Sequence, residues 1–229
     1  MKPLLLKEQD SDSLRSLGRA SVQIVHDLKN QLNGLKLYAT FLRKRMEKGE
    51  RPVDEMETVT KLIAGLDRAA NDLSTLMDYS RPLELKKQPG VDVQKIMRAI
   101  AATFSEPTQA DGGSTGLAIS DLGALPLAGN FDPTELAEAL RAISTTAVKM
   151  RRAEENRPVN VSMRRAALES EKTAIIEWHG LKNLEHDPFR SFAGGDGIRM
   201  SLAAKVIEGH GGSVEHEDGV LRVRLPISS

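Results

Sequence analysis

Residues 194–226 read GGDGIRMSLAAKVIEGHGGSVEHEDGVLRVRLP and contain the most complete structural pattern in the chain. The first four of these residues form a glycine-rich loop, which precedes a helical stretch at 198–208. Two alternating strands follow, at 213–216 and 220–225, and the chain turns between them at Asp218-Gly219, a pair typical of tight hairpins. This order of loop, helix and hairpin predicts the end of an α+β domain.

The preceding residues continue the same mixture of helices and strands. Asp132 is an expected N-cap, because Pro133 stands at the first position of a helix that continues to about Met150. The other predicted elements are a helix at 92–104 and strands at 116–121, 127–131, 159–168 and 173–178. Together they predict a domain of residues 91–229, in which helices cover a mixed, mainly antiparallel sheet.

The first third of the chain has a purely helical texture. Apolar residues repeat about every 3.5 positions from about residue 11 to 46, and helical spacing resumes at 53–79. The intervening EKGERP carries a glycine and a proline, which favour a turn. Two long helices with a short turn predict an antiparallel hairpin, residues 1–82, and a linker, residues 83–90, to the second domain.

A single hairpin cannot cover the apolar stripes of both its helices. We therefore expect a homodimer through residues 12–80, in which two hairpins form a four-helix bundle. The predicted fold is thus a helical hairpin followed by an α+β sandwich.

Composition excludes several classes of function. The chain has 32 basic and 32 acidic residues and only 3% aromatic residues, so we expect no nucleic-acid binding. It has no cysteine, which excludes disulfides and thiolate chemistry, and its histidines lack metal-ligand spacing, so no metal site is expected. Because no run approaches the ~18 apolar residues of a membrane span, we expect a cytoplasmic protein without direct membrane insertion.

His26 opens the run HDLKN, residues 26–30, on the flank of the apolar seam of the first helix. Imidazole is nucleophilic when neutral, and its ordinary pKa of about 6.5 keeps it largely neutral near pH 7. Asp27 can orient the ring or accept its proton during phosphoryl transfer, and Asn30 lies one turn further along the same face. The candidate catalytic residues are therefore His26, Asp27 and Asn30.

The HDLKN run and the 194–226 segment together resemble the sensor histidine kinases of two-component systems. The first domain is similar to their dimerisation and phosphotransfer domain, and the second to their Bergerat-type ATP-binding domain. The resemblance covers nearly the whole chain after residue 12. It implies that His26 carries phosphate and that the partner is a response-regulator receiver domain.

The same resemblance gives Asp27 and Asn30 a further role. They match an acid-x-x-Asn pattern that is associated with positioning water to dephosphorylate a regulator's phosphoaspartate. The family motif has proline after the asparagine, whereas this chain has Gln31, which predicts a straighter helix at that point.

Several positions depart from the family's ATP-binding pattern. The asparagines of the Mg²⁺-binding helix fall at Ala142 and Thr146, neither of which supplies an amide oxygen. Trp178 stands where an aspartate reads adenine, and Lys182 and Arg199 replace glycines.

The glycines that are retained, Gly180, Gly195 and Gly197, mark a vestigial nucleotide pocket. The pattern therefore predicts no cofactor. ATP and Mg²⁺ would be needed only by an active kinase.

Three functions are compatible with this sequence. The favoured one is a histidine phosphotransfer protein of a phosphorelay, which carries phosphate on His26 to or from a response-regulator aspartate without ATP. The alternative is an ATP-dependent sensor histidine kinase that autophosphorylates His26, and the third is a non-catalytic scaffold that binds a response regulator. The retained His-Asp-x-x-Asn run argues against the scaffold, and the missing asparagine and aspartate argue against the kinase.

Overall fold

A computed structural model describes residues 24, 27, 28, 30, 31, 33–35, 37–42, 55–104, 116–122, 126–151, 158–168, 171–183 and 186–228. Their contacts divide them into two units. The helical unit comprises the described residues up to Ser80 together with Phe192–Ile198, and the α/β unit comprises those of Arg81–Ser191 and Arg199–Ser229. His26 and the predicted turn at 47–52 lie outside the described residues.

Two helices lie among the described residues of the helical unit up to Ser80. Described residues between 24 and 42 are helical and form α1, and α2 is Glu55–Ser80. The Gln31 amide bonds the Asp72 carboxylate, and Leu35 packs so closely on Gly65 that a methyl group there would lie 2.8 Å from Leu35 Cδ2. Gln31 precedes Leu35 on α1, whereas its partner Asp72 follows Gly65 on α2. The two helices therefore run in opposite directions. The homodimer and its four-helix bundle stay predictions.

The α/β unit carries the remaining elements, apart from the start of the last helix, residues 194–198, which belongs to the helical unit. In chain order they are β1 Gln88–Asp92, α3 Val93–Thr103, β2 Leu117–Leu122, β3 Ala128–Phe131, α4 Pro133–Lys149, β4 Val159–Leu168, β5 Glu171–His179, α5 Gly194–Gly209, β6 Ser213–Glu217 and β7 Val220–Pro226. Five strands form one sheet in the order β2-β4-β5-β7-β6, in which only β2 and β4 are parallel. The prediction of helices on a mixed, mainly antiparallel sheet is confirmed.

The core of the α/β unit lies between one face of this sheet and the helices. Side chains of β5 alternate, so that Ile176 and Trp178 enter the core while Glu177 points to the other face. Met97 of α3 and Leu140 of α4 are fully buried in the same cluster. None of the described helices is long and apolar enough to cross a bilayer.

Helix α4 begins where its sequence predicts. The Asp132 carboxylate accepts hydrogen bonds from the backbone N–H groups of Thr134 and Glu135, and Pro133 occupies the first turn, as predicted.

Two local predictions differ from the structure. Strand β1 begins at Gln88, inside the stretch predicted as a linker, because its ladder is formed with β3, where Val91 pairs with Gly129. Gly194–Gly197 was predicted as a loop but forms the first turn of α5. Glycine has a low helix propensity, so this turn depends on contacts that a local pattern does not contain.

Candidate functional site

Two of the three candidate catalytic residues are described, and both lie on α1. Asp27 is half-buried, and Asn30, three residues further on, is exposed on a neighbouring part of the same helix surface. The Asp27 Oδ2 atom accepts a hydrogen bond of 2.6 Å from the backbone N–H of Gly194. The carboxylate predicted to assist chemistry at His26 is therefore also bound to the 192–198 segment of the helical unit.

A second carboxylate, Asp72, lies on α2 and is 8% exposed. It accepts a hydrogen bond of 3.1 Å from Gln31 Nε2. It also lies against Gly195, where an added methyl group would come 2.1 Å from Asp72 Oδ1. Gln31 is recognisable in the sequence as a departure from the motif that the HDLKN run resembles, whereas no local pattern marks Asp72.

The vestigial glycines fall in different units. Gly195 and Gly197 lie in the first turn of α5, within the helical unit, whereas Gly180 follows β5 in the α/β unit. Gly180 has φ +82°, a backbone conformation that favours glycine. The residue after it, Leu181, is fully buried, and its N–H donates to Gly219 O at 3.1 Å. The N–H of Lys182 donates to Met150 O at 2.8 Å, so both backbone donors are used within the unit.

Trp178 of β5 is fully buried. Its indole N–H donates a hydrogen bond of 3.1 Å to Ser144 Oγ on α4, and Ser144 is itself fully buried. Ala142 and Thr146 lie on the same helix, the former partly buried and the latter buried. Ser144 was not singled out from the sequence, because a serine within a helix has no distinctive local pattern.

His210, in the His-Gly-Gly turn after α5, is buried and fixed at both ring nitrogens. Its Nδ1 donates to Val206 O at 2.8 Å, and its Nε2 accepts from the Asp132 N–H at 2.9 Å. These partners assign the neutral tautomer with its proton on Nδ1. Burial lowers the pKa of His210 below its ordinary value. The turn is therefore tied to the N-cap of α4.

Comparison with known proteins identifies this architecture. No protein-family model and no curated protein matches the sequence. The histidine kinase AdeS of Acinetobacter baumannii has a similar structure, with a TM-score of 0.59, 17% identity, and coverage of 89% of this chain and 98% of that one. The histidine kinase ThkA, solved in complex with the response regulator protein TrrA, gives a TM-score of 0.67, 16% identity, and coverage of 100% of this chain and 68% of that one. The chain has the fold of a histidine kinase.

Within this histidine kinase fold, the other face of the sheet carries a row of ion pairs. Arg222 Nε donates to Glu177 Oε1, and its Nη1 donates to Glu215 Oε2 at 3.0 Å. Arg224 lies 2.7 Å from the same Glu215 oxygen. Burial raises the pKa of Glu177, but the bond from Arg222 and the nearby Arg164 outweigh it and hold this pKa below its usual value.

Polar contacts also stabilise the cap of α4. Burial raises the pKa of the Asp132 carboxyl, but hydrogen bonds from the N–H groups of Lys86, Glu135 and Thr134 outweigh it, and the pKa is lowered. Across the described ranges of this histidine kinase fold, no group of three histidine, aspartate or glutamate side chains is arranged to hold a metal ion.

Proposed function

We propose that this chain is a histidine phosphotransfer protein of a two-component phosphorelay. It carries phosphate on His26 to or from a response-regulator aspartate and does not use ATP. The histidine kinase fold supports the proposal, and so does the HDLKN run, in which Asp27 and Asn30 occupy one surface of α1.

The burial of Trp178 is the observation that carries the ATP-independent part of this proposal. The sequence resemblance assigns Trp178 to the place where an aspartate accepts from the adenine amino group. An indole can only donate, and this one donates to Ser144 inside the core. Trp178 is fully buried, and so large a side chain at that place leaves less room for an adenine than an aspartate would.

The residues at the metal-binding place do not fit Mg²⁺ either. Ala142 has no ligating atom, and Thr146 is buried with a hydroxyl in place of an amide oxygen. Because neither the base nor the metal finds its usual partners, no step of the proposed reaction passes through ATP.

The proposed reaction exchanges phosphate between two side chains. A nitrogen of the His26 imidazole attacks the phosphorus of a receiver phosphoaspartate, a P–N bond forms, and the P–O bond to the aspartate breaks. The aspartate leaves as a carboxylate, and the imidazole gives up its proton, for which Asp27 is the neighbouring acceptor. The reverse step returns the phosphate to a second aspartate.

We assign the partners from chemistry and analogy. ThkA was solved with a response regulator protein, and this supports a receiver domain as the partner of the present chain. Large apolar side chains stay exposed on both helices of the helical unit, namely Leu37, Tyr38, Phe41 and Leu66. They support a homodimer through residues 12–80. A cytoplasmic location remains a prediction from composition.

Two labelling reactions test the function. We expect purified protein mixed with a phosphorylated receiver domain to gain phosphate, and His26→Ala to gain none. We expect no label from radiolabelled ATP and Mg²⁺. Label from ATP on His26 within minutes would instead establish the kinase. Regulator binding without transfer in either direction, unchanged in His26→Ala, would establish the scaffold.

Asn30 separates two activities of the same site. If it positions water, Asn30→Ala should slow the release of inorganic phosphate from a phosphorylated receiver at least about tenfold. Transfer to His26 should change by less than about twofold, because no water takes part in it. An equal loss of both activities would contradict this role.

A further inference from the structure

The 192–198 segment is attached to the helical unit by two carboxylates. Asp27 of α1 accepts the N–H of Gly194 at 2.6 Å. Asp72 of α2 lies against Gly195, where a methyl carbon would approach Asp72 Oδ1 to 2.1 Å, so that the carboxylate would have to move. Two adjacent glycines therefore contact two acidic side chains of different helices.

Apolar contacts hold both ends of the same segment. At its start, the Phe192 ring meets Tyr79 edge-on, with ring centroids 5.1 Å apart and planes at 80°. At its end, Ile198 is 2% exposed and packs with Ile24, which is also 2% exposed, and with Leu28. The polar contacts of the two glycines thus lie between two fixed hydrophobic anchors.

The hydrogen bond to Asp27 satisfies a group that a helix leaves open. Gly194 is the first residue of α5, and the N–H groups of a first helical turn have no acceptor within their own helix. The positive end of the helix dipole also favours a carboxylate at this place. Asp72, in turn, receives the Gln31 amide at 3.1 Å, which joins α1, α2 and the segment into one set of contacts.

We propose that the 192–198 segment acts as a positioning element for Asp27. The N–H of Gly194 holds one carboxylate oxygen of Asp27. Contacts among Gly195, Asp72 and Gln31 keep the segment where this hydrogen bond can form. The glycines thus serve the carboxylate beside the phosphate carrier instead of a nucleotide. This inference rests on the proposed function of His26.

Amide hydrogen exchange tests the contact without any phosphate chemistry. We expect the Gly194 amide to exchange about tenfold faster or more in Asp27→Ala, because its acceptor is gone. Gly195→Ala should have the same effect, since its methyl group displaces Asp72. The matched control is Gly34→Ala on α1, where an added methyl group meets no atom within 4 Å. Unchanged exchange at Gly194 in both test variants would overturn the proposal.

Transfer kinetics test the positioning. With a phosphorylated receiver domain as donor, Gly195→Ala and Asp72→Asn should lower kcat for phosphorylation of His26 about tenfold and leave KM unchanged, because misplaced groups lose rate and keep binding. The matched control is Asp67→Asn, at an exposed position of α2, which should have the kcat and KM of the wild type.

The possible results separate this inference from the function on which it rests. A raised KM at constant kcat would show that the segment binds the receiver, and wild-type kinetics in both test variants would show that it does not position Asp27. Either result leaves phosphotransfer intact and overturns the inference alone. A wild type that never carries phosphate would overturn the proposed function, and positioning for phosphotransfer would fall with it.

Discussion

The protonation state of the buried His210 ring is set by its hydrogen bond with the backbone of Asp132. The ring is 3% exposed, and its Nε2 accepts the Asp132 N–H. A proton on Nε2 would leave two donors facing each other in a buried place. Burial has the largest effect on the pKa of His210 and lowers it, and the charge of Lys87 acts in the same direction. The carboxylates of Asp132 and Glu135 favour the charged ring but do not outweigh burial, so the pKa is lowered.

This lowered pKa predicts acid-sensitive stability. In the unfolded chain His210 takes up a proton near its ordinary pKa of about 6.5, whereas in the folded chain it does so only at lower pH. The free energy of unfolding should therefore fall as the pH falls below about 6.5, with a slope of at most about 1.4 kcal/mol per pH unit, the value for one proton. Urea unfolding at several pH values between 7 and 5 measures this slope.

The same measurement on two variants assigns the slope to its residue. His210→Gln keeps an acceptor for the Asp132 N–H but does not titrate, so the slope should become shallower. His186→Gln, at an exposed position, should keep the wild-type slope. Equal slopes in the wild type and His210→Gln would show that another group is responsible.

At the scale of elements, the outer face of the sheet depends on ion pairs that cross three strands. Glu177 of β5 is 8% exposed, and Arg222 of β7 joins it to Glu215 of β6. A buried carboxylate is costly without a partner, so Arg222 stabilises this part of the sheet mainly by keeping Glu177 satisfied.

Removal of the bridging cation should therefore destabilise the fold. We expect Arg222→Met to lower the free energy of unfolding by about 1–3 kcal/mol, because Glu177 loses its main donor. Arg141→Met is the matched control, since it breaks an exposed pair with Glu138 on α4 and should cost less than about 1 kcal/mol. Both values come from urea unfolding, and equal losses would argue against a special role for the buried pair.

The elements also show what a sequence can and cannot predict. The start of α4 was predictable from Asp132 and Pro133, because an N-cap bonds the backbone of residues next to it in the sequence. The β6–β7 hairpin was predictable from Asp218-Gly219, where both residues have positive φ. Strand β1 was missed because its pairing partner lies 36 to 43 residues away at β3, and no local signal encodes it.

Some residues of the candidate site were likewise predictable from local sequence, and others only from tertiary contacts. Motif spacing alone pointed to Asp27, Asn30 and the replacement at Trp178. Tertiary contact alone shows Asp72 as the neighbour of Gly195, and Ser144 as the acceptor for the indole of Trp178. A residue's partner in a distant segment leaves no trace in its immediate sequence.

At the scale of the whole molecule, the exposed apolar residues of the helical unit bear on assembly. Leu66 is an apolar residue of α2 and is 50% exposed in the single chain. A second copy that covers it would remove this apolar area from water.

Assembly is open to a direct test. Leu66→Glu should weaken the homodimer about tenfold or more, because a carboxylate would be buried at the interface. Asn71→Glu adds the same charge at an exposed position of α2 and should leave the dimer intact. Sedimentation at a series of concentrations measures both, and a monomeric wild type would contradict the predicted bundle.

Trp178 is the single tryptophan of the chain, and it is fully buried beside Ser144 in the α/β unit. Light absorbed at wavelengths selective for indole is therefore emitted from one known point of the core. The colour of that emission reports the local environment of β5 and α4 alone, since no second indole contributes. The side chain that packs on Ser144 thus gives the α/β unit its own intrinsic optical label.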